Sequence, residues 1–141
     1  GKYYFKEMSD LQVQGRIPEN VFLFDFLSHM DYAYSVADLV ISRAGAGSIS
    51  EFSLLGKSVI LVPSPNVAED HQTQNAMALV KRDAAVMVTD AEVKAHLFNT
   101  ALSLVKDERK LEELSRNILK LAQRGSARRI VDEIEKIVNS E

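Results

Sequence analysis

The chain has 141 residues, enough for one domain, and at 46% hydrophobic it can bury a core. At 26% charged it is not a disordered polyampholyte. With Lys plus Arg at 17, Asp plus Glu at 20 and a formal net charge of -3, it lacks the basic excess of a dedicated nucleic-acid binder. It has no cysteine, which excludes thiol catalysis, disulfides and cysteine-ligated zinc, and no apolar run reaches the roughly 20 residues that span a bilayer.

Gly1-Lys2-Tyr3-Tyr4-Phe5 is no signal-peptide core, and opening on Gly rather than Met points to a piece of something longer. Leu11-Gln12-Val13-Gln14, ending at Gly15, reads as a possible strand. Val21-Phe22-Leu23-Phe24 reads as a short strand ending at Asp25. Met30 to Val36 reads as a helix with Asp31 in its first turn. Leu39-Val40-Ile41-Ser42 is a second apolar run, and Ala44-Gly45-Ala46-Gly47 a small-residue turn. Ser48 to Leu55 follows as a helix stopped by Gly56. Val59-Ile60-Leu61-Val62 is the cleanest strand, closed by Pro63 and Pro65. Asp70 to Lys81 reads as a helix with Ala76, Leu79 and Val80 on one side, and Ala85 to Thr89 as a further strand. Val93 to Val105 is helical. Leu111, Leu114, Ile118 and Leu121 recur at helical spacing, and so do Ile130, Val131, Ile134, Ile137 and Val138. From Lys106 to Glu141 there are 9 basic and 8 acidic residues, a balanced solvated face rather than a membrane or nucleic-acid patch.

Strands apolar on both faces, spaced by helices, predict an α/β domain: a Rossmann-like parallel sheet flanked by helices, with a helical C-terminal segment. Ligands of such sheets sit outside the carboxyl ends of the strands. That rule selects the loops Asp25 to His29, Arg43 to Ser48 and Pro63 to His71.

Three segments in these loops could carry chemistry. Ser42-Arg43-Ala44-Gly45-Ala46-Gly47-Ser48 joins a strand to a helix. Its glycines admit close backbone approach, and the helix end offers unpaired N–H groups to a phosphate, with Arg43 adding a charge. The plain alternative is a tight turn without ligand. Ser48-Ile49-Ser50-Glu51 has capping-box spacing, with Ser48 as N-cap and Glu51 reaching back. The alternative places Glu51 in the first turn, accepting from the two hydroxyls of a ribose. The third segment, from Pro63 to Asn75, contains Asn66, His71, Gln72 and Asn75. From a helix starting near Asp70, His71, Gln72 and Asn75 share one face and suit sugar hydroxyls, unless they are simply a solvated first turn. His29, His71 and His96 lack metal-ligand spacing, there is no Asp-x-Asp pair, and no Gly-x-Ser-x-Gly elbow.

The run from Ala37 to Glu51, Ala37-Asp38-Leu39-Val40-Ile41-Ser42-Arg43-Ala44-Gly45-Ala46-Gly47-Ser48-Ile49-Ser50-Glu51, closely resembles the donor-binding half of the MurG family. So does Val62-Pro63-Ser64-Pro65-Asn66, continuing through Asp70-His71-Gln72-Thr73-Gln74-Asn75-Ala76. These are bacterial transferases that move N-acetylglucosamine from UDP-N-acetylglucosamine to undecaprenyl-diphospho-muramoyl-pentapeptide in peptidoglycan synthesis. The resemblance runs from about Val21 to the C-terminus. It implies a single nucleotide-sugar-binding domain over residues 1–141, the C-terminal half of a GT-B glycosyltransferase entered after its first strand and helix.

The resemblance also implies roles. Glu51 matches the acid that binds the donor ribose, and Ala46, Gly47 and Ser48 match the loop on the diphosphate and sugar, with Ser48 still capping. Leu27 stands where backbone recognises the uracil edge. His71, Gln72 and Asn75 match the readers of the N-acetylglucosamine hydroxyls, and Arg43 a basic position near the diphosphate. It implies inverting transfer without a metal or other cofactor. The general base, the lipid-linked acceptor and membrane contact belong to a domain missing here. The fragment alone is expected to bind UDP weakly and to be inactive. Its setting is cytoplasmic, with the parent enzyme peripheral on the cytoplasmic face of the inner membrane. Alternatives are a soluble donor-binding subunit of a split N-acetylglucosamine transferase, a non-enzymatic nucleotide-binding module, or half of a 2-epimerase-like enzyme.

Overall fold

The computed structural model describes residues 2–65 and 71–122, and the chain divides into two compact units, Gly1–Val36 and Ala37–Glu141. The Ile130 to Val138 periodicity lies outside the described residues, as do Asn66 and Asp70.

The first unit opens with helix α1 (Lys2–Val13), so Leu11 to Gln14 belongs to a helix and its end, not to a strand. The reason is Gly15. At φ +68 its N–H bonds to the Gln12 carbonyl at 3.0 Å, and the Arg16 N–H bonds to Leu11 at 2.9 Å. This is the paired closure that a left-handed glycine provides at a helix end. Val21 to Phe24 forms no strand either. No neighbour among the described residues offers it a ladder, and Phe22 stays 76% exposed. Helix α2 (Met30–Val36) has the expected bounds, with Asp31 in its first turn.

The second unit holds a parallel sheet in the order β1 (Val40–Ser42), β2 (Val59–Leu61), β3 (Val86–Met87). Val40 pairs with Val59 and Ser42 with Leu61; Ile60 pairs with Val86 and Leu61 with Met87. Helix α3 (Ala46–Leu55) connects β1 to β2, and α4 (His71–Val80) lies between β2 and β3. After β3 come a 3-10 turn (Asp90–Glu92), a π-wound turn (Val93–Leu97), α5 (Phe98–Val105) and α6 (Glu108–Lys120). The helix expected from Val93 to Val105 is thus present, with its first five residues wound more loosely.

All three residues of β2 are buried, so this strand is covered on both faces. Ile60, Val88, Leu104 and Leu114 form one core cluster, with Leu97, Ala101 and Leu111 packed against it. Phe52 of α3 and Ala76 and Leu79 of α4 are buried as well. Among the described residues β1 has a ladder on one edge only, and Ile41 is 47% exposed there. Helix α6 is pinned by polar contacts as well as by Leu114 and Ile118. The Ser115 hydroxyl donates to the Gly56 carbonyl at 2.7 Å, and the Ser58 hydroxyl to the Leu111 carbonyl at 2.7 Å.

Gly56 ends α3 at φ +64, its N–H bonded to the Phe52 carbonyl. A Cβ there would stand 2.7 Å from Leu119 Cγ. Gly56→Ala therefore combines left-handed strain with a clash, and we expect it to lower the unfolding free energy by about 2 kcal/mol. Urea unfolding followed by circular dichroism checks this; an unchanged midpoint would show that neither constraint operates.

Candidate functional site

The three parallel strands end at Ser42, Leu61 and Met87, so the chain leaves all of them on one edge. At the first exit Ala44 is fully buried, and Gly45 takes an extended conformation (φ -69, ψ 143) as N-cap of α3. The Ile49 N–H closes the first helical turn onto the Gly45 carbonyl at 3.0 Å. The helix therefore starts at Ala46, two residues before the expected Ser48. The N–H groups of Gly45, Ala46, Gly47 and Ser48 precede any helical acceptor, and no side chain caps this end.

This corrects the reading of Ser48 and Glu51. Ser48 is the third residue of the helix and caps nothing, so the expected capping box does not form. Glu51 lies in the second turn, exposed, on the same face as Gly47 four residues earlier. Helical side chains lean towards the N-terminus, which puts Glu51 on the side of the helix that leads back to Gly47. A Cβ built at Gly47 would meet nothing within 4 Å. The same Ser/Thr-x-x-Glu signature is realised elsewhere. The Thr89 hydroxyl donates to Glu92 Oε2 at 2.5 Å, and the Thr89 N–H to the same oxygen at 3.2 Å. These bonds, side chain first, hold the Glu92 carboxyl below the usual carboxylate range, and the charge of His96 adds to the effect.

The first turn of α4 joins the first two loops. Gln72 Oε1 accepts from the Ser64 N–H at 2.9 Å, and Asn75 Nδ2 donates to the buried Ala44 carbonyl at 3.3 Å. Each amide thus spends one half on the loops, and among the described residues no bond is made by Gln72 Nε2 or Asn75 Oδ1. His71 is exposed at the start of the same helix.

Arg43 crosses the edge. Its Nη1 donates to Asp90 Oδ1 at 2.5 Å and, more weakly, to the carbonyls of Val62 at 3.4 Å and Pro63 at 3.3 Å. Asp90 was missed by the sequence reading; its signal was an acid directly after the third strand, on the ligand-bearing edge. A depression of about 300 Å³ lies beside the pair, floored by Ile41, Val62 and Leu97. Larger hollows of about 430 and 440 Å³ lie along α5 and between α3 and α4. Arg43, Ala46, Gly47, Ser48, Glu51, His71, Gln72 and Asn75 all belong to the second unit, whereas Leu27 is a partly exposed residue of the first. Among the described residues no group of three or more His, Cys, Asp or Glu could hold a metal, and no helix is long and apolar enough to cross a membrane.

A parallel sheet flanked by helices, with an open helix end at its carboxyl edge, defines a Rossmann-like α/β domain, a class whose ligands sit at that edge. Residues 1–134 match the family model described as glycosyltransferase family 28 C-terminal domain, and the chain belongs to this family. It is 60% identical over 140 residues to the UDP-N-acetylglucosamine--N-acetylmuramyl-(pentapeptide) pyrophosphoryl-undecaprenol N-acetylglucosamine transferase of Parabacteroides distasonis, covering 99% of this chain and 38% of that protein. The protein of the same name from Bacteroides thetaiotaomicron is 55% identical over 142 residues, covering 100% of this chain and 38% of its own length. Crystalline MurG from Acinetobacter baumannii superposes with a TM-score of 0.81 at 29% identity, covering 96% of this chain and 39% of that one. The chain therefore spans well under half the length of the relatives it matches, and it has the fold of one half of a GT-B enzyme.

Asn75→Ala strips the buried Ala44 carbonyl of its partner. We expect it to destabilise the chain by about 1–3 kcal/mol without any ligand present. Asn75→Asp, which lacks the donor, should do no better. Chemical denaturation of both variants checks this; wild-type midpoints would mean that Asn75 is no strut.

Proposed function

We propose that this domain binds UDP-N-acetylglucosamine as the donor half of an inverting glycosyltransferase that delivers N-acetylglucosamine to undecaprenyl-diphospho-muramoyl-pentapeptide. The observation that carries the reading is the uncapped start of α3, with open space at Gly47. The names and high identity of the relatives support the choice of donor and acceptor.

Each group then has a task. The N–H groups of Gly45 to Ser48 and the positive end of α3 receive the diphosphate, aided by Arg43. Glu51, one turn further along, accepts from the ribose hydroxyls. His71 and the outward halves of Gln72 and Asn75 read the sugar hydroxyls. When the acceptor hydroxyl attacks C1, the C1–O bond breaks and negative charge gathers on the departing UDP. A preorganised helix end stabilises that charge without reorganising, a contribution of about 2.7–4 kcal/mol per donor in well-studied cases. The proton of the attacking hydroxyl passes to a base outside these residues. A lipid-linked acceptor is met at a membrane surface, and a UDP-sugar donor on its cytoplasmic side.

Calorimetric titration of the chain with UDP tests the reading: binding at millimolar ligand or below is expected, and no heat at that concentration overturns it. Gly47→Ala should weaken UDP about tenfold by filling the open space while leaving the urea midpoint unchanged or higher. Glu51→Gln should weaken UDP about tenfold and reduce the preference for UDP over its 2′-deoxy analogue. A preserved preference would remove Glu51 from the ribose.

A further inference from the structure

The Arg43–Asp90 pair is an interaction that the donor-site reading does not use. Arg43 leaves the end of β1, passes over the end of β2 and meets a carboxylate just after β3. Three acceptors converge on its Nη1, while Nε and Nη2 have no acceptor among the described residues. A guanidinium is planar, so fixing one amino group in several directions fixes the plane and the aim of the remaining donors. Asp90 is itself held. It opens a 3-10 turn closed by the Glu92 N–H on the Thr89 carbonyl at 2.9 Å and by the two bonds from Thr89 to the Glu92 carboxylate. The side chains of Arg43 and Asp90 are 55% and 40% exposed, so the pair contributes little to folding; its effect is orientation. Arg43 also stands only two residues before Gly45, the N-cap of α3.

We propose that Asp90 is a positioning residue of the donor site, holding the Arg43 guanidinium across the sheet edge so that Nε and Nη2 face the diphosphate arriving at α3. The inference rests on the UDP reading above. It sets two effects of one carboxylate in opposition. Asp90 cancels part of the positive charge of Arg43, yet it removes the freedom that a long flexible cation would lose on binding. The structure favours orientation, because Asp90 is engaged with the guanidinium and supported by its own turn.

The two effects have opposite signs in a binding experiment. UDP is titrated calorimetrically into the wild type, Asp90→Ala, Arg43→Ala and the double variant, with urea midpoints measured alongside. Asp90→Asn, close in volume, replaces Asp90→Ala if the latter unfolds the turn. We expect Asp90→Ala to weaken UDP about two- to fivefold, the size of a partly exposed charge pair, and to have no further effect in the Arg43→Ala background. In the wild type the Arg43 Nε–H resonance should be sharp without ligand, and it should broaden on loss of Asp90. Unchanged or tighter UDP binding by the Asp90 variants overturns the proposal, because the carboxylate would then only oppose the anion. UDP binding that survives Arg43→Ala unchanged also overturns it while leaving the donor-site reading intact. A wild type that fails to bind UDP overturns that reading itself.

Discussion

The buried carbonyl of Ala44 organises the carboxyl edge of the sheet. Ala44 has no exposed surface, so water cannot satisfy its C=O, and the side chain of Asn75 reaches from α4 to do so. With that carbonyl anchored, the chain turns at Gly45, and α3 begins at Ala46 with no side chain of the described residues capping its end. Gln72 fixes the second loop from the same helical turn through the Ser64 N–H. One turn of α4 thus spaces both loops, and the candidate residues Gln72 and Asn75 also brace the fold.

The electrostatics of this edge run against those of the whole chain. The formal net charge is -3, yet the end of α3 carries roughly half a positive charge, and Arg43 stands beside it. Local field, not net charge, decides where an anion docks. Asp90 offsets part of the Arg43 charge and ties its guanidinium to the turn after β3. The Thr89–Glu92 turn that supports Asp90 is in turn held by a carboxylate that stays ionised to lower pH than usual.

Local patterns were legible wherever a short segment decides its own structure. Helix α2 follows from its sequence to the residue, β2 from four consecutive apolar positions between Ser58 and Pro63, and the inner face of α6 from the spacing of Leu111, Leu114 and Ile118. Other segments depended on partners that a linear reading does not show. Val21 to Phe24 has strand composition, but a strand needs a neighbour to bond, and none is present among the described residues. Leu11 to Gln14 alternates like a strand, yet Gly15 closes it as the end of a helix. Arg43, Gly47, Glu51, Gln72 and Asn75 stand out as candidates in the sequence because Gly, Arg, Glu and amide side chains cluster after strands. Asp90 was passed over because its role appears only once β3 lies beside β2.

The sequence by itself determined the fold class and which polar groups follow the strands, since periodicity, glycine placement and strand–loop order are local properties. The start of α3, the change of Ser48 from cap to third helical residue, the bracing duty of Gln72 and Asn75 and the pairing of Arg43 with Asp90 were decided only in three dimensions. Each depends on groups 8 to 47 residues apart, or on whether a backbone carbonyl is buried, and burial is a property of the packed chain. Two Ser/Thr-x-x-Glu segments, at Ser48 and at Thr89, are alike on paper, yet α3 starts before Ser48 and only Thr89 bonds its Glu, Glu92.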